Sequence, residues 1–353
     1  MPRLLTKLIF SVLIVVMVVA GFAVKSLCDF LNTPMNIPES GFAYLLPKGG
    51  SLSQVGVDLS LSGVLENRRW LSAYSRISGR GAEIEAGEYW LESGLTPLAM
   101  ITKLEQGDVR FFELALIEGW NMRQVLSRLQ SAEGLIKTLP ADVVELTADM
   151  LGLKKRFPSL EGLLYPDTYR YHSGTTDKEL LLQAYQRMQE VLDREWVDRS
   201  KNLPYENAYQ ALTMASLIER ETGVARERTE ISGVFVRRLR QGMRLQTDPA
   251  VIYGLGISYT GNLRSRHLKD ASNRFNTYRH HGLTPTPIAL AGREAIYAAL
   301  HPADGKSLYF VAKGDGTHYF SETLEEHQKA VRKYQIEHRR KDYSSTPAAN
   351  PAG

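Results

Sequence analysis

Residues Ala208 to Gly223 read AYQALTMASLIERETG. Apolar side chains recur at helical spacing through Leu212, Ala215 and Ile218, and the run stops at Gly223, which predicts a buried helix with a glycine C-terminus. Its last turn carries Glu219, directly after Leu217 and Ile218. Taking a carboxylate out of water is costly, so a glutamate here calls for a partner, a raised pKa, or both. A carboxylic acid that stays protonated near neutral pH can donate its proton. Cleavage of a glycosidic bond demands that, because the leaving oxygen must be protonated as the carbon centre becomes oxocarbenium-like. The competing reading makes Glu219 a structural ion-pair partner of Arg220 or Arg226.

The 353 residues suffice for two domains or three small ones. Hydrophobic content of 43% and charged content of 23% predict a packed core. The net charge of +4, from 43 basic and 39 acidic residues, is too small and dispersed for a nucleic-acid partner. Leu8 to Val24, LIFSVLIVVMVVAGFAV, carries no charge and follows Arg3 and Lys7. It predicts an uncleaved single-pass anchor with a cytoplasmic N-terminus and the remainder outside; the small-x-small signature of a cleaved signal peptide is weak. Cys28 is the only cysteine and cannot form an internal disulfide. His318 and His327 have no third ligand at metal-binding spacing, so neither metal nor cofactor is expected.

Residues 26 to 40, with Pro34 and Pro38, suit an extended connector. Three strand-turn-helix units follow. Phe42, Tyr44 and Leu46 alternate before Leu52, Val55 and Leu59; Ala86 to Leu91 precedes a helix over Thr96 to Leu104, capped by Thr96 with Pro97 at its first position; Phe111 to Ile117 precedes Met122, Val125 and Leu129. Ala141 to Leu151 reads as helical, with a break at Arg156 to Pro158. In LEGLLYPDTYRY, Leu160 to Tyr171, Glu161 and Asp167 are candidate acting carboxylates. The structural alternative has Asp167 capping a turn and Glu161 held by backbone or Arg170.

Asp177 to Asp193 and Glu227 to Arg240 predict amphipathic helices, the second with a basic, solvated face of Arg237, Arg238 and Arg240. In LQTDPAVIYGLG, Asp248 precedes Pro249 as a natural N-cap, with Gln246 and Thr247 available to hydroxyl and acetamido groups. Asn273 to Tyr278, NRFNTY, is a polar loop with aromatics. A helix within Thr286 to Pro302 follows, then a hairpin of Leu308 to Ala312 with Thr317 to Phe320. Thr323 and Glu326 form the capping box of a last helix reaching about Lys341.

MASLIERETG, LQTDPAVIYGLG, FNTY followed by GLTPTPIA, AALHPADGKSLYFVAKGDGTHYF and the earlier EGLLYPDTY stand in fixed order. Together they resemble the MltG (YceG-like) family of membrane-anchored endolytic murein transglycosylases, from the anchor through about Tyr334. The resemblance implies that Glu219 is catalytic and that Gln246, Thr247, Asp248, Asn276 and Tyr278 contact substrate. Glu221, two positions on and pointing to a different helix face, orients polar neighbours. Where the family has a second proline this chain has Thr284, which puts the rigidity of that turn in question.

The implied reaction cuts the MurNAc-GlcNAc β-1,4 bond of peptidoglycan strands to leave 1,6-anhydro-MurNAc ends, limiting strand growth beside penicillin-binding synthases. The competing functions are a hydrolytic muramidase and a non-catalytic wall-binding scaffold. A hydrolase needs a facing second carboxylate, for which Asp248, Asp167 and Glu161 are the candidates. The expected fold class is α+β. Residues 1–7 are cytoplasmic, 8–24 a transmembrane helix, 25–40 a linker, 41–135 a small LysM-like α/β subdomain, 136–341 a mixed α+β periplasmic catalytic domain, and 342–353 a disordered tail.

Overall fold

The first helix, α1, spans Pro2–Asn32, and its Ile9–Asn32 portion is 24 residues long and apolar enough to cross a membrane. The computed structural model describes residues 2–81, 83–153 and 157–337. The chain forms two compact units. One contains Met1–Phe112, Glu133–Ile136 and Arg170–Thr175; the other contains Glu113–Ala132, Lys137–Tyr169 and Thr176–Gly353.

In the first unit, α1 continues past Lys25 where an extended connector is expected. Leu27, Phe30 and Leu31 give its last turns an apolar side, and with Met35 and Ile37 they join the core of this unit, so burial outweighs the prolines that follow. Strands β1 (Phe42–Leu46) and β2 (Gly87–Leu91) pair antiparallel with Tyr44 opposite Tyr89. Their alternation turns Tyr44, Leu46, Tyr89 and Leu91 inward. Helix α2 (Leu52–Leu61) starts at Ser51, whose hydroxyl accepts the Gln54 N–H at 3.3 Å. Helix α3 (Arg68–Ser78), which the sequence reading does not anticipate, packs on α2. Helix α4 (Pro97–Glu105) has the predicted Thr96 cap and leading proline.

Strand β3 (Phe111–Ala115) pairs with β4 (Thr168–His172), and α5 (Met122–Gln130) opens with an Asn121–Gln124 capping box. The predicted helix over Ala141–Leu151 is reduced to one 3₁₀ turn at Ala148–Leu151. Upstream, the Asp142 carboxylate accepts the Val144 N–H at 2.9 Å, a local bond that competes with helix formation.

The second unit is largely helical: α6 (Asp177–Val197), α7 (Ala208–Glu221), α8 (Ala225–Arg240), α9 (Asp248–Leu255), α10 (Ser265–Lys269), α11 (Arg293–Leu300) and α12 (Leu324–Val331). At its centre is α7, buried on every side from Ala211 to Ile218 and packed by α6, α8, α9 and α11. Strands β5 (Tyr309–Ala312) and β6 (His318–Ser321) form the expected antiparallel hairpin, Tyr309 facing Ser321. Buried Glu227 of α8 takes both the backbone N–H and the ring Nδ1 of His318, at 3.0 and 2.8 Å.

The predicted solvated face of α8 holds only at exposed Arg240. Arg238 is buried, donating to the carbonyls of Leu308, Arg244 and Leu245, while Arg237 holds those of Ser307 and Ala303. Forked guanidinium donors thus satisfy carbonyls that helices and strands leave over. The Thr323–Glu326 capping box is present. Arg156 and everything from residue 338, including the expected tail 342–353, lie outside the described residues.

Candidate active site

Helix α7 begins at Asn207, whose side chain accepts the Gln210 N–H at 3.0 Å. It ends at Glu221 with Thr222 extended, so Gly223 does not supply the expected left-handed cap. Thr222 turns the chain directly into α8. That turn brings Arg228 back to Glu219.

The Glu219 side chain is 6% exposed. Its Oε2 accepts the N–H of Gly292, the residue that opens α11, at 3.0 Å. Its Oε1 meets Arg228 Nη2 at 3.4 Å, and the other amino group of this buried guanidinium pairs with exposed Glu294. The partner arginine is therefore neither Arg220, which reaches the Gly119 carbonyl at 3.1 Å, nor exposed Arg226. Burial raises the Glu219 pKa above the ordinary carboxylate range; the Gly292 N–H opposes this, nearby Glu118 adds to it, and Arg228 opposes it. Burial thus works against the charged form, while two donors, the Gly292 N–H and Arg228, face the carboxyl oxygens.

A different set of charges surrounds Glu221. Burial and the Asp248 carboxylate push its pKa up to about 8, against the Thr247 hydroxyl, Arg220 and Arg238. Asp248 accepts the Tyr278 hydroxyl at 2.7 Å and is the first residue of α9, with Thr247 in the cap position expected of Asp248. The hydroxyl bond fixes the Asp248 carboxylate outside the helix terminus. Gln246 adopts a left-handed φ of 56° and its side chain accepts from Arg238 at 3.3 Å. Its backbone N–H and that of Thr247 donate to the Thr277 carbonyl and hydroxyl, at 3.2 and 2.9 Å.

Asn276 is fully buried. Its amide nitrogen donates to the carbonyls of His267, Leu268 and Asp270, and its oxygen accepts the Tyr278 N–H at 3.1 Å. The fold therefore gathers Gln246, Thr247, Asp248, Tyr278 and Glu221 into one polar cluster, with Asn276 bracing the loop that delivers Tyr278. The GLTPTPI turn is tied by hydroxyls where a proline is missing: Thr284 donates to the Thr286 carbonyl and Thr286 to that of Pro287, each at 2.8 Å.

Two candidate second carboxylates are occupied locally. Glu161, 4% exposed, accepts the Met122 N–H at the start of α5 at 3.0 Å and the Tyr253 hydroxyl at 2.9 Å. Its backbone anchoring is as expected, with Met122 and Tyr253 in the place suggested for Arg170. Burial pushes its pKa up to about 7. Asp167 accepts the following Thr168 N–H at 2.8 Å. His318 is engaged by Glu227 and His327 stacks on Tyr309; among the described residues no three His, Cys, Asp or Glu side chains cluster as metal ligands. Sequence reasoning missed Arg228, Gly292, Glu294 and Glu118. Only the charge of Arg228, one helix beyond Glu219, offered a signal.

The structure is that of a mixed α+β protein with one N-terminal helix long and apolar enough to cross a membrane and a buried glutamate of raised pKa on the central helix of its second unit. The chain belongs to the YceG-like family, whose pattern it matches over residues 44–333. It is 32% identical over 307 residues to the endolytic murein transglycosylase of Bacillus subtilis, covering 82% of this chain and 83% of that protein. It is 25% identical over 317 residues to that of Streptococcus pneumoniae, covering 81% of this chain and 57% of the longer relative. A YceG-like protein of Listeria monocytogenes shares the fold with a TM-score of 0.52 at 28% identity, over 83% of this chain and all of that one.

Proposed function

We propose that this protein is a lyase, an endolytic lytic transglycosylase of peptidoglycan, with Glu219 as its catalytic acid and base. The observation that carries the reading is the seat of Glu219: buried, with a raised pKa, yet within reach of the Gly292 N–H and Arg228. Protonated Glu219 donates to the oxygen of the MurNAc-GlcNAc β-1,4 bond, and the muramyl anomeric carbon gains positive character. The carboxylate left behind is stabilised by Gly292 and Arg228. It then takes the proton of the muramyl C6 hydroxyl, whose oxygen closes on the anomeric carbon to form a 1,6-anhydro ring. No water is consumed.

Gln246, Asp248, Tyr278 and Glu221 act as the substrate-facing polar cluster, and fully buried Thr247 and Asn276 shape the loops beside it. The first unit contributes LysM-like contacts to N-acetyl sugars. Arg3 and Lys7 keep the N-terminus cytoplasmic, which puts the site in the periplasm at the inner membrane, where new strands emerge near penicillin-binding synthases. The test is mass analysis of products from purified uncrosslinked glycan strands with the full-length protein. Wild type should release fragments one water lighter than hydrolysis products. Glu219→Gln should slow release by about 10²–10⁴-fold or more; release at the wild-type rate would remove Glu219 from the mechanism.

A further inference from the structure

Glu118 reaches this site through backbone pairing that no local sequence pattern encodes. It lies between β3 and α5, where Gly119 donates its N–H to the Leu290 carbonyl at 2.8 Å and Leu290 donates back to that of Trp120 at 2.7 Å. This clasp sets Glu118 against the start of α11. Its carboxyl fills the space a side chain at position 292 would need: a Cβ on Gly292 would stand 2.5 Å from the Glu118 carboxyl carbon. The N–H of the same glycine holds Glu219. One glycine therefore has a carboxyl on either side, and ordinary bond lengths confine the two within about 8 Å of each other. Glycosidases that use two carboxylates separate them by roughly 5–9.5 Å. Glu118, unlike Glu219, is exposed.

We propose that Glu118 is a second catalytic carboxylate of this site, meeting substrate beside Glu219 and stabilising the positive charge that develops on the anomeric carbon. This rests on the transglycosylase reading above. No atom passes to or from Glu118: Glu219 gives the first proton and takes the second, and Glu118 supplies fixed charge. The same charge disfavours ionisation of Glu219. The charged groups on the elements packed against α7 include Arg228 and Glu227 of α8, Glu294 and Arg293 of α11, Glu195 of α6, Asp248 of α9, and Arg220 and Glu221 of its own helix. Arg228 acts on Glu219 in the opposite sense.

The experiment measures kcat and KM against pH for the full-length protein in detergent on uncrosslinked glycan strands, with product masses. Glu118→Gln should lower kcat about 10²-fold with a much smaller change in KM, and should move the alkaline limb of activity to lower pH. Glu118→Asp, which keeps the charge, should keep the limb. Gly292 has a φ of −74° that alanine accepts, so Gly292→Ala retains the N–H and displaces only the Glu118 carboxyl. It should lower kcat alone and add little to Glu118→Gln. A wild-type kcat and unmoved limb in Glu118→Gln, or full additivity of the two variants, overturns the proposal. Reducing ends in wild-type product that vanish in Glu118→Gln also overturn it, by assigning Glu118 to water activation. An unchanged Glu118→Gln or full additivity leaves the transglycosylase reading intact; reducing ends in wild-type product would overturn that reading too, and an active Glu219→Gln would sink it on its own.

Discussion

Replacing Glu161 by glutamine should stabilise the protein in mild alkali, although it removes a buried, fully engaged side chain. Burial lifts the Glu161 pKa from 4.5 to about 7, so the folded state prefers the protonated form. The unfolded chain ionises first as pH rises, and wild-type stability falls from about pH 4.5 until the folded-state pKa near 7 has been passed. At about 1.4 kcal/mol per pKa unit the loss totals about 3 kcal/mol by pH 8. Glutamine does not titrate, and its oxygen can still accept from Met122 or Tyr253. The quantity to measure is the stability difference between Glu161→Gln and wild type, by thermal or urea unfolding of the full-length protein in detergent, at pH 4.5 and pH 8. It should move by about 3 kcal/mol in favour of glutamine, or roughly 6–12 °C in Tm for a unit of this size. Any fixed cost of the amide cancels between the two pH values. A difference that stays flat with pH, or moves the other way, would refute the reasoning.

Arg228 favours the ionised form of Glu219, so Arg228→Gln should push the alkaline limb of activity to higher pH, opposite to the shift expected for Glu118→Gln; a pH profile on glycan strands separates the two. Gly162 has a φ of +73°, and a Cβ there would meet the Pro287 ring, 2.9 Å from its Cγ, and the Ala289 carbonyl at 3.1 Å. Gly162→Ala should therefore cost more than about 1 kcal/mol, and an unchanged urea midpoint would show that this approach relaxes freely. Leu212→Ala, at a fully buried position of α7, should cost about 2–5 kcal/mol, read from the same curves. Asn207→Ala removes the cap of α7 and should cost about 1 kcal/mol.

Elements that carry their own start signals were legible in the sequence. Thr96 with Pro97 opens α4, Thr323 with Glu326 opens α12, and the KGDG turn closes the β5–β6 hairpin. Where local and distant bonds compete, the reading failed. Asp142 holds its own turn instead of starting a helix, and the end of α1 joins a core instead of becoming a connector. Arg238 is drawn inward by carbonyls of three other residues, and the Tyr278 hydroxyl takes the carboxylate expected to cap α9.

The sequence by itself determined that the Glu219 carboxyl would be buried. An apolar helix ending in Leu217, Ile218 and Glu219 commits a carboxyl to burial wherever the helix packs. Only the tertiary structure decided what surrounds it: Gly292, 73 positions away in the chain, Arg228 from the next helix, and Glu118 from the loop before α5. Periodicity and capping act within a few residues and are written locally. Desolvation and Coulomb interactions depend on distances through space, which exist only once the helices have packed.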